Sequence, residues 1–317
     1  MISIATIKEP LNRISDLNFY NVKVNYPLLA QMNGIAEMIL STFAFSVMTL
    51  SVKLSSLNTS NIVLYRSIIQ SFITIFSIKY KNISIEKDQY GLVLWRGLIG
   101  ALEICFFYYS VQHLNIEDAT IIFLSAPILT SLLGYLVLKE KIDIRNIISL
   151  ILCITGSLLV AAPQVAVQMN LGVVCAIAGA ITSSAVYILI RCLTCHALFS
   201  ILSFNVFSIL LSGSQILYSQ SIQIPNDPWL LSIVIFSYIG QYYLNTALQK
   251  IPASVGTLIV NLDVVFAFFY SVLIFKNTIE WNSCAGAALV VGGSLLCTMN
   301  RTVDKSDEEA PLLENEE

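Results

Sequence analysis

Long apolar runs, each followed by a short polar segment, make up most of the chain. Ten such runs fall near residues 30–51, 60–78, 89–111, 118–138, 145–162, 171–190, 197–218, 229–248, 253–275 and 280–299. Each is close to the roughly 20 residues that a helix needs to cross about 30 Å of hydrocarbon. Because backbone in lipid must satisfy its own hydrogen bonds, runs of this length favour helices over strands. The pattern predicts an all-α polytopic membrane protein with ten transmembrane helices, numbered here as spans one to ten.

Composition and the polar ends support this class. Of the 317 residues, 56% are hydrophobic and 12% are charged, and the mean hydropathy is +0.77, whereas soluble domains carry about 25% charged residues. Residues 1–28 lack the apolar core and small-residue cleavage site of a signal peptide, so we expect a cytosolic N-terminal segment. Residues 300–317 are expected to form an acidic cytosolic tail. The short connections leave no room for a soluble domain.

One stretch of the chain recurs in the second half. Residues 110–160 align without a gap on residues 247–297, at an offset of 137, with eleven of fifty-one positions identical. The identical positions include Lys139 and Lys276 and the four-residue run GSLL that begins at Gly156 and Gly293. Self-similarity at a fixed offset indicates a duplicated chain. We therefore predict two five-helix repeats, at 29–162 and 170–299.

The distribution of basic residues predicts the orientation. If both termini are cytosolic, thirteen of the seventeen Lys and Arg residues lie in cytosolic segments and only Lys53 and Lys276 lie on the opposite side. This is the bias that membrane proteins show, because positively charged loops stay in the cytosol. Lys139 then faces the cytosol while its copy Lys276 faces away. The repeats are predicted to be inverted, as in many secondary transporters, with the substrate near the midplane between them.

Several segments resemble a known family. They are LYRSIIQ around Arg66, WRGLIG at 95–100, the long run from Tyr108 to Lys141, IGQYYLNTALQ from Ile239, and NLDVVFAFFYSVLIFKN from Asn261. In order and spacing they resemble the drug/metabolite transporter superfamily of the EamA type and, more narrowly, subgroup G of solute carrier family 35. The resemblance covers residues 30–299. It implies a carrier that moves small organic metabolites by alternating access, with no bound cofactor.

The chain departs from that family in two respects. Pro127 and Glu140 of the first repeat are replaced by Val264 and Asn277 in the second. Spans six to ten also contain no clearly buried basic residue, whereas the carriers of sugar phosphates and nucleotide sugars in the wider family place Lys or Arg there. This difference argues against a nucleotide-sugar substrate.

Five ionisable residues lie within the predicted spans: Glu37, Arg66, Arg96, Glu103 and Asp263. Each costs about 2.5–3.5 kcal/mol at the centre of a bilayer, so such residues usually face a cavity or one another. Arg96 and Glu103 are seven residues apart and share one helix face. A guanidinium matches carboxylate or phosphate, so two buried arginines favour an organic anion as substrate. The alternative is that Arg–acid pairs only neutralise buried charge, and Arg66 lies near a helix end, from which it can extend outward.

Asp263 is the candidate for ion coupling. It lies in the middle of span nine, at the position equivalent to Ala126 beside Pro127, a proline that is expected to kink span four. Asp263 is either a proton-coupling carboxylate or the counter-charge of Arg96 in the empty carrier, and a permanent ion pair is the structural alternative. Glu37 is the second candidate for coupling.

Three amides and two tyrosines complete the set of candidate residues. Gln241, Asn245 and Asn261 are candidates for hydrogen bonds to substrate, and contacts between helices are the alternative role. Tyr108 and Tyr109, near the end of span three, are interpreted as aromatic residues of the membrane interface.

Two short motifs lie outside the spans. CLTCH at 192–196 has the C-x-x-C-H spacing of covalent haem attachment, but it lies in a loop predicted to be cytosolic, and with only two His in the chain no metal site is expected. In the tail, Glu308 precedes Leu312 and Leu313 with the spacing of an acidic dileucine signal, which cytosolic sorting adaptors read. The alternative is a merely solvated acidic tail.

The sequence thus predicts a secondary-active carrier with a small-molecule substrate, in the plasma membrane or an endomembrane of the endolysosomal or secretory pathway. The rival hypothesis is a membrane regulator or scaffold that keeps the carrier fold and transports nothing. An enzyme is not expected, because the chain has no HExxH and no GxSxG motif. Besides the lipid bilayer and sorting adaptors, no nucleic-acid partner is expected, and a homodimer is left open.

Overall fold

The computed structural model describes residues 28–114, 122–123, 125–138, 144–161, 171–274 and 281–309. All regular structure in these ranges is helical. The helices are α1 (Leu28–Leu54), α2 (Thr59–Lys81), α3 (Tyr90–His113), α4 (Ser125–Leu138), α5 (Ile144–Ala161), α6 (Leu171–Cys192), α7 (Ala197–Ser219), α8 (Pro228–Lys250), α9 (Ala253–Val260), α10 (Leu262–Leu273) and α11 (Trp281–Glu309). Every predicted span contains one helix, except that span nine is divided into α9 and α10.

Five of these helices are long and apolar enough to cross a membrane by length and composition. They are α1, α2, α3, α6 and α7, and shorter apolar helices lie within α4, α5 and α11. Side chains such as Phe72, Phe76 and Leu217 are large, apolar and exposed on the outside of the bundle. An apolar outer surface suits lipid rather than water. The prediction of an all-helical, integral membrane protein is therefore confirmed.

Local sequence signals determine where several helices begin and end. Asp227 caps α8, where its Oδ1 accepts the Trp229 N–H at 2.9 Å, and Pro228 occupies the first turn, where its missing N–H costs nothing. Asn82 ends α2 and Gln220 ends α7, both with φ of 49° in the left-handed region. Such residues stop a helix because their backbone turns away from its axis.

The helices pack in pairs that respect the sequence duplication. A shift of 137 residues carries α1 onto α6, α2 onto α7, α3 onto α8 and α5 onto α11. In the structure α1 packs on α8, and its counterpart α6 packs on α3. The pairs α2–α7 and α5–α11 each join a helix to its own counterpart.

The contact between α5 and α11 is reciprocal in detail. A Cβ added at Gly156 would lie 2.9 Å from Leu289 Cβ, and one added at Gly293 would lie 2.9 Å from the Ser149 carbonyl oxygen. Gly156 lies against Gly286, Leu289 and Val290, and Gly293 lies against Ser149, Leu152 and Cys153, which are the equivalent residues under the same shift. Because each glycine contacts the earlier residues of the other helix, the two helices are antiparallel. The GSLL run that marks the duplication thus begins at the closest contact of this pair.

Polar bonds hold the helices together at one end of the bundle, where α1 ends and α8 begins. Asp227 Oδ2 accepts hydrogen bonds from Ser55 Oγ at 2.8 Å, from the Ser56 N–H at 2.8 Å and from Ser56 Oγ at 3.3 Å. Burial raises the pKa of this carboxyl, but the hydrogen bonds from Ser55, Trp229 and Ser56 together outweigh that effect and leave the pKa below its ordinary value. Lys53 Nζ donates to the carbonyl oxygens at the end of α3.

The opposite end of the bundle is held by a second set of polar contacts. Lys250, at the end of α8, forms an ion pair with Glu37 of α1. Arg191 Nη1, at the end of α6, donates to the carbonyl oxygen of Gln249 at 3.0 Å. Helices of both sequence halves are therefore joined at both ends.

Candidate functional site

A cavity of about 150 Å³ lies between the two halves of the chain. A single water needs only about 10–15 Å³ of such volume, so the cavity has room for a small organic molecule. Residues of α1, α3, α4, α6, α7, α8, α9 and α10 line it. Most lining side chains are apolar or aromatic, with a few polar groups among them, which is the usual composition of a ligand site.

Arg96 of α3 is the basic side chain in this lining. It is fully buried, and its Nη2 donates to Oε1 of Gln241 on α8 at 2.9 Å. Its Nε and Nη1 have no hydrogen-bond partner. Gly100, one turn further along α3, makes room for the guanidinium, because a Cβ there would collide with Nη1. Arg96 therefore holds free N–H donors beside the cavity, which is the arrangement that binds a carboxylate or phosphate group.

Two carboxylates share the cavity with Arg96. Glu103 lies two turns along the same face of α3, as the seven-residue spacing predicts, and Asp263 lies in the first turn of α10. The ion pair predicted between Arg96 and Asp263 is not formed in the described part of the chain, where the guanidinium bonds to Gln241 instead. A neutral amide satisfies one N–H of Arg96 and leaves the others for a ligand.

The helix break between α9 and α10 also lies at the cavity. Asn261 connects the two helices, lines the cavity and is buried, and its Nδ2 has no hydrogen-bond partner. Broken helices inside membranes are tolerated where the interrupted backbone lines a cavity, and transporters use them to bind substrates. The sequence analysis did not predict this break. The signal is the pair Asn261 and Asp263 within an otherwise apolar run.

Phe204 of α7 is the residue at this site that sequence reasoning missed. It lines the cavity with 1% of its surface exposed. The guanidinium carbon of Arg96 lies 5.3 Å from the centre of its ring, and that of Arg66 lies 5.0 Å from it. Nothing in an isolated Phe within an apolar run distinguishes it from a lipid-facing or core residue, so only the helix packing reveals this position.

Arg66 of α2 does not line the cavity. It is fully buried, its three nitrogen atoms have no hydrogen-bond partner, and its contacts are with the rings of Tyr108 and Phe204. The expectation that Arg66 extends outward from a helix end is therefore wrong. The interpretation of Tyr108 as an interface residue is also wrong, because Tyr108 is fully buried and its hydroxyl contacts Met48.

Comparisons with known proteins identify the family. The model of the EamA-like transporter family matches residues 32–162 and again residues 170–299. The chain belongs to this family. It is therefore an integral membrane protein of a transporter family within the drug/metabolite transporter superfamily, which confirms the resemblance drawn from the sequence.

Individual relatives of this EamA-family chain are distant but cover most of its length. Solute carrier family 35 member G1 of Homo sapiens is 25% identical over 83% of this chain and 78% of its own. An uncharacterized transporter of Helicobacter pylori is 26% identical over 84% of this chain and 94% of its own. The pseudopaline exporter CntI of Pseudomonas aeruginosa is 24% identical over 82% of this chain and 93% of its own. The match to member G1 supports the placement in subgroup G of solute carrier family 35.

A crystal structure shows that the fold is shared. It superposes with a TM-score of 0.68 at 16% sequence identity, over 85% of this chain and 98% of the other. At that identity the match establishes the fold and carries no information about the substrate.

The remaining candidates lie at different distances from the cavity. Gln241 lines it, whereas Asn245 is buried one turn further along α8 and donates to the Gln241 carbonyl oxygen at 2.7 Å. Glu37 pairs with Lys250 and is not part of the cavity lining. Pro127 lines the cavity in the first turn of α4, and the residues just before this helix lie outside the described ranges.

The two motifs outside the spans are placed only in part. His196 caps α7, where its Nδ1 accepts the Leu198 N–H at 3.2 Å. Within the described residues, no group of three or more His, Cys, Asp or Glu side chains could hold a metal ion. Glu308 lies in the last turn of α11, but Leu312 and Leu313 lie outside the described residues, so the sorting signal stays a prediction.

Proposed function

We propose that this chain is a secondary-active transporter that carries a small organic anion by alternating access through the central cavity. The observation that carries this proposal is the buried Arg96 guanidinium, which borders a cavity formed by both halves of the chain and keeps two nitrogen atoms free. The printed name of one relative, a pseudopaline exporter, supports an organic metabolite as the cargo.

The proposed architecture is ten spans in two inverted five-helix repeats, 29–162 and 170–299, with both termini cytosolic. The antiparallel, reciprocal contact between α5 and α11 supports it, because a two-fold axis in the membrane plane relates the contacts at Gly156 to those at Gly293. The pairing of α1 with α8 and of α6 with α3 follows the same symmetry. Alternating access then needs only a change in how the two repeats tilt around the cavity.

Each polar residue of the cavity has a proposed role. Arg96 binds the anionic group, and Gln241 holds the guanidinium in place through the bond to Nη2. Asn261 donates its free amide to the substrate. Asp263 is the proposed coupling carboxylate, because it reaches the cavity, unlike Glu37, and Glu103 balances part of the arginine charge. Sorting by the dileucine tail is a separate proposal that concerns where the transporter acts.

Uptake into proteoliposomes tests the function. We expect concentration-dependent uptake of at least one organic anion from a panel of carboxylates and phosphates, and loss of that uptake in Arg96→Ala. Lys79→Ala, at an exposed position near the end of α2, is the matched control and should transport normally. Uptake of cations or neutral solutes alone would overturn the anion preference and keep the transporter. A folded protein with no flux of any solute would favour the regulator hypothesis.

A further inference from the structure

A single aromatic ring stands between the cavity and the second buried guanidinium. Phe204 lines the cavity, and it packs against both Arg96, which also lines the cavity, and Arg66, which does not. Because the two guanidinium carbons lie about 5 Å from the same ring centre, they are no more than about 10 Å apart. Displacement of this one side chain is thus enough to bring Arg66 into contact with the cavity.

Arg66 has the properties of a binding group rather than of a structural one. A guanidinium carries five N–H donors in a planar fork, and none of the three nitrogen atoms of Arg66 has a hydrogen-bond partner although the side chain is fully buried. Ring contacts with Tyr108 and Phe204 compensate the charge only in part. A carboxylate or phosphate group satisfies such a fork best, because it accepts two parallel hydrogen bonds.

The sequence duplication shows that helix packing does not require this pair. The shift of 137 residues carries Arg66 onto Ser203 and Ser67 onto Phe204. The position related by symmetry to the Arg66–Phe204 contact is therefore occupied by two serines, both buried. The crossing of α2 and α7 thus accommodates small side chains on one side of the axis and a guanidinium against a ring on the other. This asymmetry is what a site with one specific task needs.

We propose that Phe204 is a gate between the central cavity and a second anion-binding group, Arg66. In the closed position its ring covers Arg66 and contacts Arg96. Rotation of the ring opens Arg66 to the anionic group of a substrate that is already held at Arg96. The gate itself is inferred from the geometry of the cavity, and its part in moving a substrate rests on the proposed transport function.

Chemical modification of arginine tests the gate without any transport assay. Purified protein is treated with phenylglyoxal, and the peptides that contain Arg66 and Arg96 are quantified by mass spectrometry. In the wild type we expect modification of Arg96 and protection of Arg66. In Phe204→Ala, Arg66 should become modified to an extent like that of Arg96. Phe204→Tyr keeps the ring and should keep Arg66 protected.

A control and a substitute variant keep this test decisive. Phe207→Ala removes the next aromatic side chain of α7, which packs on Gly97 and not on Arg66, and should leave Arg66 protected. If Phe204→Ala does not fold, Phe204→Val serves the same purpose with a smaller loss of volume. Modification of Arg66 in the wild type, or its continued protection in a folded Phe204→Ala or Phe204→Val variant, would overturn the gate.

Transport kinetics test the second part of the proposal. With the ring removed, Arg66 is always open to the substrate, so Phe204→Ala should lower KM and slow turnover, because the substrate is held more tightly and released more slowly. Adding Arg66→Ala should remove the decrease in KM. Equal loss of turnover in Phe204→Ala and Phe204→Tyr, with KM unchanged, would show that the ring serves packing alone. An absence of uptake in the wild type concerns the proposed function and leaves the modification test intact.

Discussion

The polar groups at the end of α8 and those in the centre of the bundle are bonded in opposite ways. Asp227, at the helix end, accepts four hydrogen bonds, from Ser55, from the N–H and hydroxyl of Ser56, and from Trp229. In the centre, two nitrogen atoms of Arg96 and all three of Arg66 have no partner. A carboxylate with four donors stabilises a fixed geometry, whereas buried donors without acceptors favour binding of an anion. The ends of the bundle therefore hold the frame, and the centre keeps its bonding capacity for a ligand.

The largest expected effect separates the two regions through transport. Arg96→Ala should reduce anion uptake by about 100-fold or more, because it removes hydrogen bonds to a charged group worth about 1.5–3 kcal/mol each. The melting temperature in detergent should stay the same or rise, since the substitution removes a buried charge that has no counter-charge bonded to it. A large drop in melting temperature would instead assign Arg96 to the frame.

Asp227→Ala should have the converse effect. Loss of the helix cap and of the bonds to Ser55 and Ser56 should destabilise the protein by about 1–3 kcal/mol. The KM for the anion should not change, because Asp227 is not part of the cavity lining. Thermal unfolding followed by fluorescence, run beside uptake, measures both quantities. Asp227→Asn keeps an acceptor for the cap and should lose less stability than Asp227→Ala.

A tenfold effect is expected from a glycine in the cavity. In Gly100→Ala the added Cβ displaces the Arg96 guanidinium from its place against α3, so KM should rise by about tenfold, which corresponds to 1.4 kcal/mol. Gly213→Ala is the matched control, because no atom lies within 4 Å of the added Cβ. That change should leave KM unaltered and raise stability slightly, since alanine favours helix. Equal kinetics in the two variants would contradict the position assigned to Arg96.

The bonds to Asp227 also predict a dependence of stability on pH. The pKa of this carboxyl is below its ordinary value in the folded protein, so its contribution is fully present above the unfolded pKa of about 3.9 and is lost as the pH falls through the folded pKa. The difference in melting temperature between the wild type and Asp227→Asn should therefore be constant near neutral pH and shrink below about pH 4. A difference that grows on acidification would contradict this sign.

The smallest effect is expected at the ion pair between Glu37 and Lys250. Their side chains are 22% and 31% exposed, and partly exposed pairs contribute about 0–1 kcal/mol. Glu37→Gln should therefore change the melting temperature little and leave uptake intact across the pH range. A loss of pH-dependent uptake in this variant, with Asp263→Asn unaffected, would transfer the proposed coupling role from Asp263 to Glu37.

Much of the cavity could be predicted from the scarcity of polar residues in the spans. Arg96, Glu103, Gln241, Asn261 and Asp263 were all selected because each is costly in lipid, and all five line the cavity. The partners of these residues could not be predicted in the same way. Arg96 bonds to an amide on α8 rather than to Asp263, because the choice of partner depends on which helix faces meet and at what depth.

The sequence by itself determined the helices, their approximate ends and the duplication, since apolar runs, helix caps and a constant offset of 137 residues are properties of one dimension. The tertiary structure alone decided that Arg66 is buried and that Phe204 separates it from the cavity. It also decided that span nine breaks at Asn261. The reason is physical. Burial and contact of a side chain depend on the angle and distance between helices, and two apolar positions on one helix look alike until a neighbouring helix packs against one of them.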